Sequence, residues 1–390
     1  MESRMKAIGL CIVVAMAACA SVNAARAPAA ELSQAEIQQI EQAAAEWMKR
    51  HRAPALSVAI VLDGGLSWAK GFGFADPDNK IPATPTTVYR LASITKSITA
   101  TAVMQLVEQG SLDLDAPIQK YCPAYPRKQW PITARLLLAH LAGVRHHSFF
   151  ETLSPNTRHY DSVAAALNYF KDDDLLHEPG TEYHYTSLGY TVVGCAIEGA
   201  SGTTYANYVR EHIFVPAGMT RTEPDDVTKT IKDRAKLYGK GLIYKATGTF
   251  PRMTEAGALD PSDRLPAGGL VSTVEDLARF AIAIQQGKLV SNASRDLMWT
   301  RQKTRDGQTL KFYGFGWLIA DADADHPKRV WNDGSQPGTR TFLYMRPDQR
   351  FAIALMTNLE GANCEELVPL IVDMALKNTR QTIPTKDDKH

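Results

Sequence analysis

Hydrophobic positions follow two different periodicities along this chain, and the change between them separates its ends from its middle. Near the N-terminus, residues 31–49 have the apolar spacing of an amphipathic helix. Two apolar segments, residues 56–62 and 66–74, then flank Asp63-Gly64-Gly65. A glycine-containing turn between two such segments predicts a β-hairpin. Near the C-terminus the pattern predicts four more strands: residues 312–320, 329–331, 341–346 and 351–357.

The middle of the chain has mainly helical spacing and long polar loops. The pattern predicts helices over residues 93–109, 133–141, 188–200 and 205–215. Ser272-Thr273-Val274-Glu275 has the form of a capping box and predicts the start of a further helix. Residues 364–377 are predicted to form the closing helix.

Strands joined by tight turns imply an antiparallel sheet, and here they gather at both ends of the chain. The predicted fold class is therefore α/β, with an antiparallel sheet flanked by helices and a helical insertion. We assign the sheet domain to residues 31–111 and 261–378, and the insertion to residues 112–260. Residues 379–390 form a polar tail.

The N-terminus has the features of an export signal. Residues 7–20 are an unbroken apolar run, which is too short to span a bilayer. Val22-Asn23-Ala24 places small residues where a signal peptidase cleaves. We predict a signal peptide over residues 1–24 and a periplasmic or secreted protein. The segment ending at Cys19 resembles a lipoprotein site, which leaves open a membrane tether through that cysteine.

The balance of basic and acidic residues limits the kinds of molecule that the protein is expected to bind. The chain has 43 basic and 42 acidic residues, and no basic stripe stands out. Nucleic-acid binding proteins concentrate positive charge, so this balance speaks against a nucleic-acid partner. A small molecule or a peptide is the expected substrate, and the sequence is silent on oligomeric state.

The cysteines and histidines do not have the spacing of a metal site. Of the five cysteines, Cys122, Cys195 and Cys364 follow the predicted signal, so at most one disulfide can form. Cys195 lies in an apolar helical segment and is interpreted as a small core residue. His140, His146 and His147 are candidate metal ligands, but the last two are adjacent and would diverge on most backbones. We therefore favour a structural role for these histidines and predict no metal and no cofactor.

One short segment, LASITKSITA, combines a serine and a lysine in an apolar setting. Ser93 and Lys96 lie three residues apart, and Lys96 is the only charged residue from position 91 to position 104. Residues three apart are neighbours on a helix. The same spacing recurs in Ser67-Trp68-Ala69-Lys70, which falls on a predicted strand, where residues three apart point to opposite faces. Only the pair Ser93 and Lys96 therefore has the required geometry in the mature chain.

The apolar surroundings of Lys96 change what its amine can do. A helix that is apolar all round is buried, and burial favours the neutral amine and lowers its pKa. A neutral lysine can take the proton of a neighbouring serine hydroxyl and thereby activate it as a nucleophile. The alternative is a lysine that snorkels to the surface beside an N-cap serine, and this helix alone does not separate the two interpretations.

Two later segments extend the pattern. EPGTEYHYTSLGYTVVG contains Tyr185-Thr186-Ser187, and VWNDGSQPGTRTFLYM contains Asn332-Asp333-Gly334. With Ser93 and Lys96, these segments resemble the three motifs of the serine β-lactamase-like and penicillin-binding family, which includes class C β-lactamases, D-Ala-D-Ala carboxypeptidases and esterases. The segments LLLAHLAGVRHH and LPAGGLVST resemble its mitochondrial β-lactamase-like serine protease branch.

The third motif departs from the family pattern. Family members have Lys-Thr-Gly or His-x-Gly, whereas this chain has an amide at Asn332 and a carboxylate at Asp333. The change argues against a substrate carboxylate that is bound at this point, and against a β-lactamase in particular.

The resemblance implies a role for each motif residue, and it makes Ser187, Asn332, Gly334 and Ser335 the expected substrate-binding residues. Ser93 is expected to form an acyl-enzyme, with Lys96 as the base and Tyr185 as the proton shuttle to the leaving group. Tyr185 could instead be a buried core tyrosine, and Ser187 could either bond Lys96 or the substrate or cap a helix. Gly334 is expected to let the substrate lie close to its strand, or else to end that strand.

The remaining expectations concern the oxyanion and the reaction. The backbone N–H groups of Ser93 and Ser335 are expected to form the oxyanion hole. The implied enzyme is a serine hydrolase acting on an amide, a peptide or an ester. Within that class, an esterase or a weak β-lactamase is the alternative. A protein of another class is the alternative: a non-catalytic or self-assembling binding protein that keeps the fold.

Overall fold

The computed structural model describes residues 31–153, 156–239 and 253–376. The predicted signal peptide with Cys19, the polar tail and part of the central loops lie outside these residues. None of the helices in the described ranges has the length and apolar character that crossing a membrane requires.

A seven-stranded antiparallel sheet forms the centre of the molecule. Its strands run in the order β3-β2-β1-β12-β11-β10-β9, so strands from the two ends of the chain meet where β1 pairs with β12. Their bounds are β1 Ala55–Leu62, β2 Gly65–Asp76, β3 Ile81–Pro82, β9 Leu318–Ala320, β10 Arg329–Gln336, β11 Thr339–Arg346 and β12 Phe351–Thr357. This architecture confirms the predicted fold class, whereas the proposed domain boundaries stay a prediction.

Five shorter strands form two small sheets away from the main one. They are β4 Tyr89–Arg90, β5 Glu223–Pro224, β6 Tyr238–Gly239, β7 Thr254–Glu255 and β8 Leu270–Ser272. Strand β8 lies between β4 and β5, and it therefore links the segment that leads to Ser93 with the later part of the chain.

Helices lie on both sides of the main sheet. Those before residue 260 are α1 Gln34–His51, α2 Thr95–Glu108, α3 Ala134–Leu138, α4 Phe149–Leu153, α5 Val163–Leu167, α6 Ser187–Ser201, α7 Tyr205–Val209 and α8 Val215–Ala217. The later ones are α9 Leu265–Gly268, α10 Val274–Gln285, α11 Asn292–Met298 and α12 Leu367–Leu376. Single turns of 3₁₀-helix cover Ala92–Ile94, Ile118–Lys120, Pro261–Arg264, Pro347–Gln349 and Cys364–Glu366.

Strand β1 explains why part of the sheet appears in the sequence as a continuous apolar segment. All of its residues are buried, because its two faces pack into different cores. Val58 and Ile60 belong to the core beneath α1 and α12, whereas Ala59 and Val61 belong to the core beneath α2 and α10. A strand covered on both faces loses the alternation of polar and apolar positions and reads as continuous apolar sequence.

Several predicted boundaries differ from the structure. Of the strand predicted over residues 312–320, only β9 forms, because Gly316 has a φ of +73° and the preceding residues make a loop against α2. The helix predicted over residues 205–215 contains the π-helical segment Arg210–Phe214 between α7 and α8. The capping prediction was one residue early: Thr273, not Ser272, accepts the N–H of Asp276.

A disulfide joins Cys122 to Cys195 across 73 residues of sequence. Cys195 does lie in the core, but its interpretation simply as a small core residue missed the bond to Cys122; the limit of one bridge holds for the described cysteines. The error has a physical reason: α6 packs very close to the backbone at Tyr121, where a Cβ on Gly199 would lie 1.8 Å from the Tyr121 carbonyl oxygen. That close approach brings the two cysteines together. Cys364 is buried and reduced.

Candidate active site

Ser93 lies in a tight turn between β4 and α2. The 3₁₀ turn Ala92–Ile94 precedes α2, so the helix starts at Thr95, two residues later than the sequence suggested. Ala92 has a φ of +50°, in the left-handed region that residues other than glycine seldom occupy. Such backbone strain is held only where the surroundings impose it, and it places Ser93 at the edge of a cleft of about 430 Å³.

Lys96 is completely buried. Its Nζ lies 3.2 Å from the Oγ of Ser93, 3.2 Å from the Oγ of Ser187 and 3.0 Å from the carbonyl oxygen of Ala267. Its pKa falls from the ordinary 10.5 to about 7: burial is the main cause, the positive charge of Arg264 adds to the fall, and the carboxylate of Asp333 opposes it. The snorkelling interpretation is therefore wrong.

The neighbours of Lys96 determine where its lone pair can point. A neutral amine has two N–H donors and one lone pair. The carbonyl oxygen of Ala267 can only accept, so it takes one N–H, and the hydroxyl of Ser187 can accept the second. The lone pair is then left for the hydroxyl of Ser93, and this arrangement allows Lys96 to receive the serine proton.

Tyr185 reaches the same serine from a distant part of the chain. Its hydroxyl donates a hydrogen bond to the Oγ of Ser93 over 2.8 Å, and its ring lies 4.8 Å from the Nζ of Lys96. Burial raises the pKa of Tyr185 well above its ordinary value. The phenol is therefore neutral and acts as a proton donor in the resting site, while the competing Tyr183 makes no such contact with Ser93.

Ser187 and Thr186 divide the two roles that the sequence left open for Ser187. Thr186 is the N-cap of α6, and its hydroxyl accepts the N–H of Gly189 over 3.1 Å. Ser187 is the first residue of the helix and contacts Lys96 instead. The cap leaves Ser187 available to the site.

Two histidines hold the segment that carries Tyr185 and Ser187. Nδ1 of His140 accepts the backbone N–H of Thr186 over 3.1 Å, and Nδ1 of His146 accepts that of Ser187 over 3.2 Å. Both rings also pack against Tyr185, with centroid separations of 4.5 Å and 5.7 Å. Burial lowers the pKa of His140 far below its ordinary value and that of His146 to about 3, so both imidazoles are neutral.

Asn332 of β10 lies behind the serine. It is 4% exposed, and its Nδ2 donates to the carbonyl oxygen of Ser93, the Oγ of Ser97 and the carbonyl oxygen of Gly316. These bonds tie β10 to α2. The expected substrate contact of the Asn332 amide is thus replaced by internal hydrogen bonds, although part of the residue still lines the cleft.

Gly334 lies in the interior of β10 and does not end the strand. A Cβ at this position would lie 2.5 Å from the carbonyl oxygen of Leu91 and 2.3 Å from Oγ1 of Thr341. Glycine is therefore required for the strand to approach the turn that carries Ser93. Ser335 follows and lines the cleft, on a part of β10 that extends past its last pair with β9 at Trp331.

The second Ser-x-x-Lys copy and another serine–tyrosine pair both lie apart from this arrangement. The second Ser-x-x-Lys copy is on β2, where Lys70 forms an ion pair with Glu41 over 2.6 Å. A different serine–tyrosine pair, Ser57 and Tyr89, bonds over 2.9 Å inside the core and does not line the cleft. Within the residues that the structure describes, no group of histidine, cysteine and acidic side chains has the arrangement of a metal site.

Comparison with known proteins agrees with the geometry. The family model described as Beta-lactamase matches residues 40–370. This chain belongs to the β-lactamase family. It has the serine hydrolase fold of that family, and the expected resemblance is confirmed.

Individual relatives are distant. The chain is 28% identical over 316 residues to the human mitochondrial serine beta-lactamase-like protein LACTB, covering 63% of this chain and 56% of that protein. It is 28% identical over 311 residues to penicillin-binding protein 4* of Bacillus subtilis, covering 76% and 66% of the two chains. The chain thus spans little more than half the length of the first relative.

A solved structure shows the same likeness. The octameric penicillin-binding protein homologue from Pyrococcus abyssi superposes with a TM-score of 0.74 at 27% identity, covering 87% of this chain and 77% of that one.

Sequence reasoning missed three contributors to the site. The carbonyl oxygen of Ala267, which bonds Lys96, lies in the LPAGG segment that the family resemblance had marked without a role. His140 and His146 were considered only as metal ligands and as structural residues. Their neighbouring tyrosines are far away in sequence, so no local pattern pointed to them.

Proposed function

We propose that this protein is a serine hydrolase that forms an acyl-enzyme on Ser93. The observation that carries the proposal is the convergence of the Lys96 amine and the Tyr185 hydroxyl on one serine oxygen, at 3.2 Å and 2.8 Å. Lys96 takes the serine proton while the Oγ of Ser93 attacks the carbonyl carbon of the substrate. Negative charge then develops on the carbonyl oxygen, and the backbone N–H groups of Ser93 and Ser335 stabilise it.

Collapse of the tetrahedral intermediate breaks the bond to the leaving group. The proton on Lys96 passes through Tyr185 to the leaving nitrogen or oxygen, which restores the neutral amine. A water molecule then attacks the acyl carbon and gives one proton to the Lys96 and Tyr185 pair, which passes it to the Oγ of Ser93 as the ester bond breaks and the carboxylic acid is released. Ser187 keeps the amine oriented throughout by its 3.2 Å contact with the Nζ of Lys96.

The substrate class is an amide or peptide, with esters as the closest alternative. An amine leaves only when it is protonated, whereas an alkoxide or phenolate leaves more readily. A neutral tyrosine that donates to the serine oxygen over 2.8 Å is suited to the harder of the two reactions. The proposal includes β-lactams only as weak substrates, because Asn332 and Asp333 replace the family residues of the third motif.

Covalent labelling tests the nucleophile. A fluorophosphonate probe and a fluorescent penicillin are applied to the wild type and to Ser93→Ala. We expect the fluorophosphonate to label the wild type and not the variant. The absence of any label on the wild type, or equal labelling of Ser93→Ala, would favour the non-catalytic binding protein.

A substrate panel then separates the reactions. Nitrocefin, a p-nitrophenyl ester and D- and L-amino-acid amides are compared at one pH. The proposal requires measurable turnover of an amide or an ester, with nitrocefin the poorest substrate.

We also propose that the protein is exported. The apolar segment at residues 7–20 supports this, and so does the Cys122–Cys195 disulfide, because disulfides persist mainly in oxidising compartments. Cell fractionation and N-terminal sequencing of the mature chain test the location. Cys19→Ala distinguishes a lipid tether, which needs the thiol, from simple cleavage.

A further inference from the structure

Asp333 introduces a carboxylate at the centre of the third motif. It lies on β10 and lines the same cleft as Ser93, and about a third of its side chain (35%) is exposed. The neighbouring Asn332 has its side-chain nitrogen engaged by three internal acceptors. Asp333 is therefore the motif side chain that remains able to contact a bound substrate.

The charge of Asp333 is only partly balanced. Arg340 donates from Nη1 to Asp333 over 2.7 Å and from Nη2 to Glu365 over 2.6 Å. One guanidinium is thus shared between two carboxylates, and the three side chains together keep one negative charge. Because Arg340 is already committed to both partners, it cannot turn to bind an anionic substrate.

The rest of the cleft provides few positively charged side chains that could bind an anionic substrate. Among the described residues that line it, the one permanently charged cation is Arg264, which binds Asp263 through two hydrogen bonds of 2.8 Å. The other charged lining residues, Glu151 and Glu360, are acidic. Glu151 is paired with Arg145 over 3.1 Å and contributes little net charge, so the negative charge on which selection beside Ser93 rests is that of Asp333 with its two partners.

We infer that Asp333 selects substrates carrying a cationic group, a protonated or quaternary amine, on the acyl portion that lies along β10. This inference rests on the proposed acyl transfer to Ser93 and names the substrate class of that site. Asp333 is a specificity-determining residue: it attracts a cation and repels a carboxylate, and it takes no part in breaking the scissile bond.

Three p-nitrophenyl esters of equal chain length test the inference. Their acyl chains end in trimethylammonium, in the neutral isostere tert-butyl, or in a carboxylate. The trimethylammonium charge does not titrate, so the comparison is independent of the ionisation of Lys96. We expect kcat/KM for the cationic ester to exceed that for the neutral one by on the order of tenfold, with the anionic ester the poorest.

Variants of Asp333 test whether this side chain causes the preference for the cationic ester. Asp333→Asn keeps the shape without the charge, and Asp333→Thr restores the usual family residue. Both should reduce the cation-to-neutral ratio to within about twofold of unity, mainly through KM. Asp323→Asn makes the same charge change at an exposed position that does not line the cleft, and it should leave the ratio at the wild-type value.

The outcomes separate this inference from the proposed function. Failure of the wild type to hydrolyse even the neutral ester overturns the proposed hydrolase. Hydrolysis of all three esters at similar rates keeps the hydrolase and overturns the role of Asp333. If the Asp333 variants fail to fold, inhibition of the wild type by the matched cationic and neutral amides decides, and equal inhibition constants overturn the inference.

Discussion

The backbone N–H of Ser187 donates a hydrogen bond to Nδ1 of His146 over 3.2 Å, so this imidazole must present a lone pair there. The proton of the neutral ring is therefore on Nε2. The bond satisfies one of the N–H groups that every helix leaves unpaired in its first turn. It also fixes the start of α6 relative to the cleft, and with it Ser187.

Replacing His146 tests this positioning. The side-chain oxygen of His146→Asn can take the place of Nδ1, whereas His146→Ala leaves the Ser187 N–H without a partner. We expect His146→Ala to lower the free energy of unfolding by about 1–3 kcal/mol and kcat by roughly tenfold. His146→Asn should recover most of both in urea unfolding and steady-state kinetics. Equal losses of kcat in the two variants would contradict the role of the Nδ1 acceptor.

The buried histidines also predict how stability depends on pH. The pKa of His146 falls from 6.5 in the unfolded chain to about 3 in the fold, and that of His140 falls in the same direction. Between these values the unfolded state binds more protons, so stability rises with pH. We expect the free energy of unfolding to decline as pH falls from 6.5 towards 3, and His146→Asn to flatten part of this slope. An unchanged slope in the variant would show that His146 does not contribute to the pH dependence of stability.

Lys96 predicts the pH dependence of activity. Its pKa of about 7 means that the neutral base is scarce in acid and dominant above that pH. The value of kcat/KM should therefore rise with pH through about 7 and then level. Asp333 raises this pKa, so Asp333→Asn should move the rising limb to lower pH. Activity that falls as pH rises through about 7 would exclude Lys96 as the base, and a limb that stays in place in Asp333→Asn would show that the carboxylate of Asp333 does not affect the Lys96 pKa.

Lys96→Met separates chemistry from stability. The variant should lose acylation of Ser93, yet it should unfold at higher denaturant concentration near pH 8, because the burial cost of an amine that is charged in the unfolded chain disappears. The gain, on the order of a few kcal/mol, should shrink as pH rises towards 10.5, the ordinary lysine value. A variant less stable than the wild type would show that the bonds to Ser187 and Ala267 outweigh that cost.

Tyr185→Phe removes the proton donor with little change in shape. We expect kcat for an amide to fall by about 10²- to 10⁴-fold, and kcat for an activated ester to fall less, because the phenolate leaving group needs no proton. Single-turnover kinetics on both substrates make the comparison. Tyr183→Phe is the matched control, since Tyr183 lines the cleft without bonding Ser93. Equal losses on amide and ester would remove Tyr185 from proton delivery.

The Cys122–Cys195 disulfide predicts sensitivity to reductant. Closing a loop of 73 residues restricts the unfolded chain, and its loss should cost about 2–4 kcal/mol. Denaturant unfolding with and without dithiothreitol measures the difference. The double variant Cys122→Ala, Cys195→Ala should be insensitive to reductant, whereas Cys364→Ala should keep the wild-type response. A reductant effect that persists in the double variant would place its origin elsewhere.

Many of the helices and strands could be predicted from local sequence patterns. The hairpin of β1 and β2, the apolar run of β12 and the helix carrying Lys96 each depend on side chains a few residues apart, which a periodicity reports directly. The same holds for the pairing of Ser93 with Lys96 on neighbouring turns. Local reasoning failed where the chain takes an unusual backbone, as at Ala92 and at Gly316, because packing from other segments imposes those conformations.

The chemistry of the site was decided by residues that are far apart in the chain. Spacing placed a lysine beside a serine, but its pKa depends on complete burial, and its lone pair is directed by Ser187 and by the carbonyl oxygen of Ala267. The joining of Cys122 to Cys195 is equally non-local. Periodicity is a property of neighbouring residues, whereas desolvation and hydrogen bonding sum over every segment that packs against a group. For that reason the sequence alone identified the participants, and only the folded chain determined their protonation and orientation.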